Sequence, residues 1–123
     1  MIGYTVLGTN DLDGSKAFFD QLLAPLGAKR LMEMPRGVMY GTALNQAFLG
    51  VMKPYNGDAA QCGNGTMVGL AGASRDQVDE VYKLAIEQLG CTCEGAPGER
   101  MPGFYAAYFR TPEGHKFNIF KMG

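Results

Sequence analysis

The sequence lacks a surplus of charge of either sign. Eleven basic residues stand against twelve acidic ones, a net charge of −1. That balance leaves no electrostatic footprint for nucleic acid and no polybasic patch for a membrane surface. Long apolar runs are missing too, and none approaches the ~20 residues needed to span a bilayer. The opening Met1-Ile2-Gly3-Tyr4-Thr5 has no basic segment followed by an apolar stretch, so no signal peptide is expected. Cysteine is scarce and odd in number: Cys62, Cys91 and Cys93. With no leader, this predicts free thiols in a reducing, cytoplasmic setting. Histidine occurs once, at His115, so two histidine ligands within one chain are excluded.

What is present suits a single domain over residues 1–123, long enough to bury a proper core. The spacing predicts two helices. Ser74-Arg75-Asp76-Gln77 has the capping-box pattern, and Val78, Val81, Tyr82, Ala85, Ile86 and Leu89 follow as one apolar stripe before Gly90. An earlier helix opens after Thr9-Asn10-Asp11, carries Leu12, Phe18, Phe19, Leu22, Leu23 and Leu26, and stops at Gly27. Short strands fill the rest: 2–8, 29–34, 38–44 and 46–52 around the first helix, and 66–72, 91–94, 103–110 and 116–121 around the second. Thr111-Pro112-Glu113-Gly114-His115 reads as a hairpin turn. Residues 52–65, with four glycine or proline positions, read as the link between halves at about 1–55 and 63–123.

A shift of sixty-three positions lays Phe18 on Val81, Phe19 on Tyr82, Leu22 on Ala85, Leu26 on Leu89 and Gly27 on Gly90 without a gap. Two amphipathic helices can always be aligned on their stripes. The order strand, helix, three strands occurs on both sides as well, so the fold expected is α+β, built from two βαβββ modules.

The second module ends in Tyr105-Ala106-Ala107-Tyr108-Phe109-Arg110-Thr111-Pro112-Glu113-Gly114-His115-Lys116-Phe117-Asn118. With the opening Met1-Ile2-Gly3-Tyr4, the helix start from Asn10 to Phe19 and the segment Gly63-Asn64-Gly65-Thr66-Met67, this hairpin resembles the vicinal oxygen chelate superfamily. The small glyoxalase-like branch is the most similar, and the match covers essentially the whole chain. That group includes glyoxalase I, bleomycin-resistance proteins, fosfomycin-resistance enzymes and extradiol dioxygenases. The resemblance implies a curved mixed sheet with helices on its convex side, a homodimer and a ligand site on the concave side. Metal-using members hold a divalent ion there, usually on two histidines and a glutamate.

Carried over position by position, the first-strand histidine falls on Tyr4, the second on Met67 and the glutamate on Asn118. The sixty-three-residue shift independently lays Tyr4 on Met67. A phenol must lose a proton with a pKa of about 10, a thioether favours soft metals, and an amide lacks the carboxylate's charge. No metal and no cofactor are therefore expected. Strand alternation adds Ile2 and Val6 beside Tyr4, and Lys116 and Phe120 beside Asn118. It leaves open whether Tyr105 or Tyr108 joins them. The expected ligand-pocket residues are Tyr4, Met67, Asn118, Phe120 and Lys116.

Competing sites have plainer readings. His115 sits in a turn, where a polar residue needs no catalytic role. Cys91-x-Cys93 lacks the second pair a closed zinc site requires and has one intervening residue where redox motifs have two, so small apolar fillers are expected. Ser15 and Ser74 belong to helix starts, where capping accounts for serine. The function expected is binding of a small organic molecule without a metal. The alternative is a lyase, isomerase or dioxygenase of the same superfamily, using a metal on non-standard ligands, so catalysis is left open.

Overall fold

Two capping residues start the two helices of the computed structural model, which describes all 123 residues. Asp11 accepts a hydrogen bond from the Gly14 backbone N–H at 3.0 Å and opens α1 (Leu12–Leu23). Ser74 accepts from the Gln77 N–H at 3.1 Å and opens α2 (Arg75–Glu87). Each satisfies a backbone donor that the first helical turn leaves unpaired. The Gln77 side chain reaches back to accept from the Ala73 N–H at 2.7 Å, one residue before the cap. Past the helices, Gly27 and Gly90 adopt φ of 76° and 71°, the left-handed region that glycine enters without a Cβ penalty.

The strands are β1 (Tyr4–Gly8), β2 (Lys29–Met34), β3 (Gly37–Gly41), β4 (Phe48–Met52), β5 (Met67–Ala71), β6 (Thr92–Met101), β7 (Phe104–Arg110) and β8 (Lys116–Met122). They form two four-stranded mixed sheets, ordered β1-β4-β3-β2 and β5-β8-β7-β6. The β1–β4 and β5–β8 pairs are parallel, and the others antiparallel. The chain divides into compact units, Met1–Cys62 and Gly63–Gly123, each a βαβββ module. The sixty-three-residue shift carries β1 onto β5, Asp11 onto Ser74 and Gly27 onto Gly90.

In each unit the helix covers one face of its own sheet. In the first, Phe19, Leu22 and Leu23 bury against a core that includes Leu7, Val38, Leu49 and Val51. Tyr40 is buried there as well, its hydroxyl donating to Asp20 Oδ1 at 2.8 Å, and Arg30 binds the same carboxylate through two N–H groups at 2.7 and 2.9 Å. In the second, Val78, Val81 and Ala85 are fully buried together with Phe109, Phe117 and Ile119. The rings of Phe109 and Phe117 stack at 6.0 Å. Each such large apolar side chain contributes roughly 1.5–3 kcal/mol on burial.

Three sequence expectations change. The strand expected at 91–94 runs to Met101, through Gly95-Ala96-Pro97-Gly98. It lies at the sheet edge and its pairing with β7 shifts register three times, and edges and bulges are where strands tolerate proline and glycine. Ser15 does not cap α1. It is buried in the first turn and shares a 2.6 Å hydrogen bond with Thr9. Residues 53–62 fold back onto the first unit, where the Asn10 carboxamide donates to Ala60 O at 3.1 Å and accepts from the Ala60 N–H at 2.7 Å. The turn at 111–115 forms as expected, with Gly114 at φ 94° donating its N–H to Thr111 O at 2.8 Å. No helix is long and apolar enough to cross a membrane.

Candidate functional site

Alternation along the strands gives each sheet a helix-covered face and an open one. In the second unit, Phe117 and Ile119 of β8 point to α2, so Lys116, Asn118 and Phe120 lie on the open face. Cross-strand register places Met67 beside Lys116, Gly69 beside Asn118 and Ala71 beside Phe120. Four of the five expected pocket residues, Met67, Lys116, Asn118 and Phe120, are thus neighbours on one surface. Tyr4 occupies the equivalent position in the first unit. It is 59% exposed and its ring stacks on Phe48 at 5.3 Å, with Val6 next along the same face. Ile2 precedes β1 and is exposed.

The register also decides between the two tyrosines of β7. Tyr105 turns to the helix side, where its hydroxyl donates to Asp79 Oδ1 at 2.6 Å and Arg75 lies 5.0 Å from the ring centre. That hydrogen bond holds the Tyr105 phenol above its ordinary pKa. Tyr108 pairs with Asn118 on the open face.

Asn118 is the most enclosed polar residue of that face, 3% exposed. Its position depends on Gly69. A Cβ added at Gly69 would meet Asn118 Oδ1 at 2.7 Å and the Phe120 ring at 3.4 Å, so the missing side chain is the seat for the carboxamide. No hydrogen bond within the chain uses that carboxamide, and its polar atoms stay in touch with solvent. In the first unit, the position equivalent to Asn118 is Gly50, opposite Val6, and it supplies no side chain at all.

Beside the expected Lys116, three charged groups of this face, Glu94, Arg100 and Arg110, went unrecognised in the sequence. Lys116 Nζ lies 5.6 Å from the centre of the Tyr108 ring and Arg100 Cζ lies 5.5 Å from it. Glu94 Oε1 is 3.2 Å from Arg110 Nε and 3.9 Å from Lys116 Nζ, and Arg110 Nη1 also donates to Gly114 O at 2.8 Å. Once the hairpin register pairs Tyr108 with Asn118, Arg110 follows by counting two along β7. Arg100 does not, because the bulges of β6 shift its register.

A second feature had no periodic signal at all. Residues 53–61 close over the end of β1 and β4 to form an open cleft of about 670 Å³, with Arg36, Lys53, Tyr55 and Val6 among its lining residues. Arg36 is fixed there by donating Nε–H to Lys53 O at 2.8 Å, and its guanidinium lies 5.2 Å from the Tyr55 ring centre. None of the five expected pocket residues lines this cleft.

The competing candidates resolve by burial. His115 is buried in its turn, its backbone N–H donating to Thr111 Oγ1 at 3.1 Å. All three cysteines are free. Cys91 is a buried filler, and burial pushes its thiol up to about 11. Cys93 departs from the filler reading, being exposed, and the thiol beside Tyr82 raises that phenol.

A divalent metal, implied by the resemblance, does not fit these residues. No three His, Cys, Asp or Glu side chains converge anywhere in the chain. The equivalent positions offer a phenol, a thioether and an amide, and Met67 has the Lys116 ammonium as its cross-strand neighbour.

Comparisons with known proteins agree with this architecture. The chain is similar to a glyoxalase/bleomycin resistance protein from Albidiferax ferrireducens T118, at 35% identity and TM-score 0.86, over 98% of this chain and 97% of that one. It shares its fold with a lactoylglutathione lyase from Agrobacterium tumefaciens, at 20% identity and TM-score 0.71 over 98% and 92% of the two chains. The same holds for a fosfomycin resistance protein from Listeria monocytogenes, solved with Mn(II) and 1S,2S-dihydroxypropylphosphonic acid, at 18% identity and TM-score 0.72 over 97% and 87%. No match was found among curated protein sequences. The family model of the Glyoxalase/Bleomycin resistance protein/Dioxygenase superfamily matches residues 1–119, and the chain belongs to that superfamily.

Proposed function

We propose that this chain binds a small organic molecule without a metal ion, on the open sheet face of the second unit through Met67, Lys116, Asn118 and Phe120, with Tyr4 the counterpart position on the open face of the first unit. The observation that carries the reading is Asn118. A carboxamide enclosed to 3% exposure, seated over Gly69 and unused by the chain itself, is the kind of fixed polar group that orients a ligand. Apolar and aromatic neighbours, Met67, Phe120 and Tyr108, supply the contact area that small-molecule sites need. The free thiols support a cytoplasmic setting, and the exposed Tyr4 and Val6 on the edge strand β1 support a homodimer.

Thermal-shift screening of a metabolite and drug panel, in buffer containing a chelator, tests the reading. Stabilisation by at least one compound, lost on Asn118→Ala, is the expected result. No stabilisation from a broad panel, or a ligand whose effect needs added divalent metal, would overturn it.

A further inference from the structure

The open face of the second unit is unbalanced in charge. Arg100, Arg110 and Lys116 share it with one carboxylate, Glu94, although the whole chain carries a net charge of −1. On the helix-covered side, by contrast, Arg75 pairs with Glu99 at 2.7 Å. Glu94 is committed first to Arg110, and Lys116 reaches it only at 3.9 Å. Arg100 has no carboxylate partner, although it donates an N–H to Ala96 O.

Arg100 is nevertheless held in place. A Cβ at Gly95 would meet its Nη2 at 3.1 Å, and one at Gly98 would meet Nη1 at 2.8 Å. Two glycines thus let the guanidinium lie close to the strand and beside the Tyr108 ring, an arrangement that favours a cation electrostatically. Lys116 approaches the same ring. Two cations without a dedicated counter-charge therefore flank one aromatic ring, and Asn118 is the cross-strand neighbour of that ring. With its oxygen end over Gly69, the carboxamide keeps its amino end to donate. Phe120, stacked on Phe104 at 5.8 Å, gives the face an apolar floor.

The geometry points to an organic oxyanion, a carboxylate or phosphonate on a small apolar body, held by Arg100 and Lys116 beside Tyr108 with Asn118 as a further donor. The inference rests on the proposed ligand-binding function and names the ligand class for that face. It also gives the metal mismatch a physical meaning, since the positive charge is supplied by side chains. A guanidinium and an ammonium present N–H donors to an oxyanion, and such charge-assisted bonds are about twice as strong as neutral ones.

The test uses three probes that share a phenyl ring: benzoate, phenylphosphonate and the neutral benzamide. Each is titrated into the full chain in chelator-containing buffer and followed by 1H–15N NMR. One or both anions should move the Asn118 side-chain amide signals and the backbone signals of Tyr108 and Lys116, and the stronger anion identifies the head group. Benzamide should bind at least tenfold more weakly. Arg100→Gln and Lys116→Gln should each weaken the anion about tenfold and benzamide far less, with Lys116→Arg keeping most of the affinity. Lys83→Gln on α2 controls for overall charge, and unperturbed signals elsewhere report that each variant is folded.

Benzamide binding as tightly as the anions, at the same signals, would overturn the oxyanion inference and leave the ligand-binding proposal standing. Anion binding indifferent to both charge-removing variants would do the same. If none of the three probes moves those signals, both the inference and the ligand-binding proposal at this face fall.

Discussion

Adding one methyl group at Gly69 should dislodge Asn118. A Cβ at this position would stand 2.7 Å from Asn118 Oδ1, well inside the 3.4–4 Å of ordinary contact, and 3.4 Å from the Phe120 ring. The oxygen belongs to a side chain that is only 3% exposed, so it cannot swing freely into solvent. Overpacking of this kind costs about 1–3 kcal/mol. An unfolding entropy of about 2.1 cal/mol/K per residue makes each kcal/mol worth about 4 °C for a chain of this length, so Gly69→Ala should lower Tm by about 4–12 °C. Thermal unfolding followed by circular dichroism measures it, with Gly3→Ala as a control because no atom lies within 4 Å of its added Cβ. Asn118→Ala in the Gly69→Ala background should cost less than it does alone, since there it also relieves the clash. A Gly69→Ala protein that melts with the wild type, and a double variant whose effects simply add, would refute the seating of Asn118 over Gly69.

Other outcomes follow from individual contacts. Ser74→Ala removes the acceptor for the Gln77 N–H and should destabilise by about 1 kcal/mol in denaturant unfolding, the usual cost of a lost N-cap. A thiol reagent should modify Cys62 and Cys93 in native protein at neutral pH, and Cys91 only after unfolding, since Cys91 is buried and its thiol is pushed up to about 11. The Arg30 hydrogen bonds hold the Asp20 carboxyl below its usual 3.8, so the folded state binds this proton less readily than the unfolded state. Its contribution is therefore present above about pH 4 and disappears as pH falls through the lowered value. Acid unfolding of Arg30→Gln should show a weaker pH dependence in that window, and high salt should narrow the difference between the two proteins.

The repeat was legible because its punctuation is local chemistry. Asp11 and Ser74 are helix-starting acceptors, Gly27 and Gly90 are left-handed stops, and all four sit sixty-three residues from their counterparts. Alternation along β8 needs only a count of two, so Lys116, Asn118 and Phe120 were placed on one face from sequence. The same count could not choose between Tyr105 and Tyr108, because it requires the register of the final hairpin, and that register is set by pairing Tyr108 with Asn118. Arg100 was out of reach for a further reason. Gly95-Ala96-Pro97-Gly98 reads as a strand breaker, and only the position of β6 at the sheet edge lets the strand continue through it. The first-unit cleft depends on how residues 53–61 fold back through the Asn10–Ala60 pair, a contact across fifty residues that carries no periodic trace.

Metal content of the purified protein tests the central claim most directly. Mass spectrometry before and after incubation with Mn, Fe, Ni and Zn, each followed by desalting, reports the stoichiometry. Open faces that offer Tyr4 in the first unit, and Met67 and Asn118 beside Lys116 in the second, predict well under one equivalent of any of these metals in folded protein. One tightly held equivalent, lost on Tyr4→Phe or Asn118→Ala, would contradict the account and favour a metal-assisted enzyme.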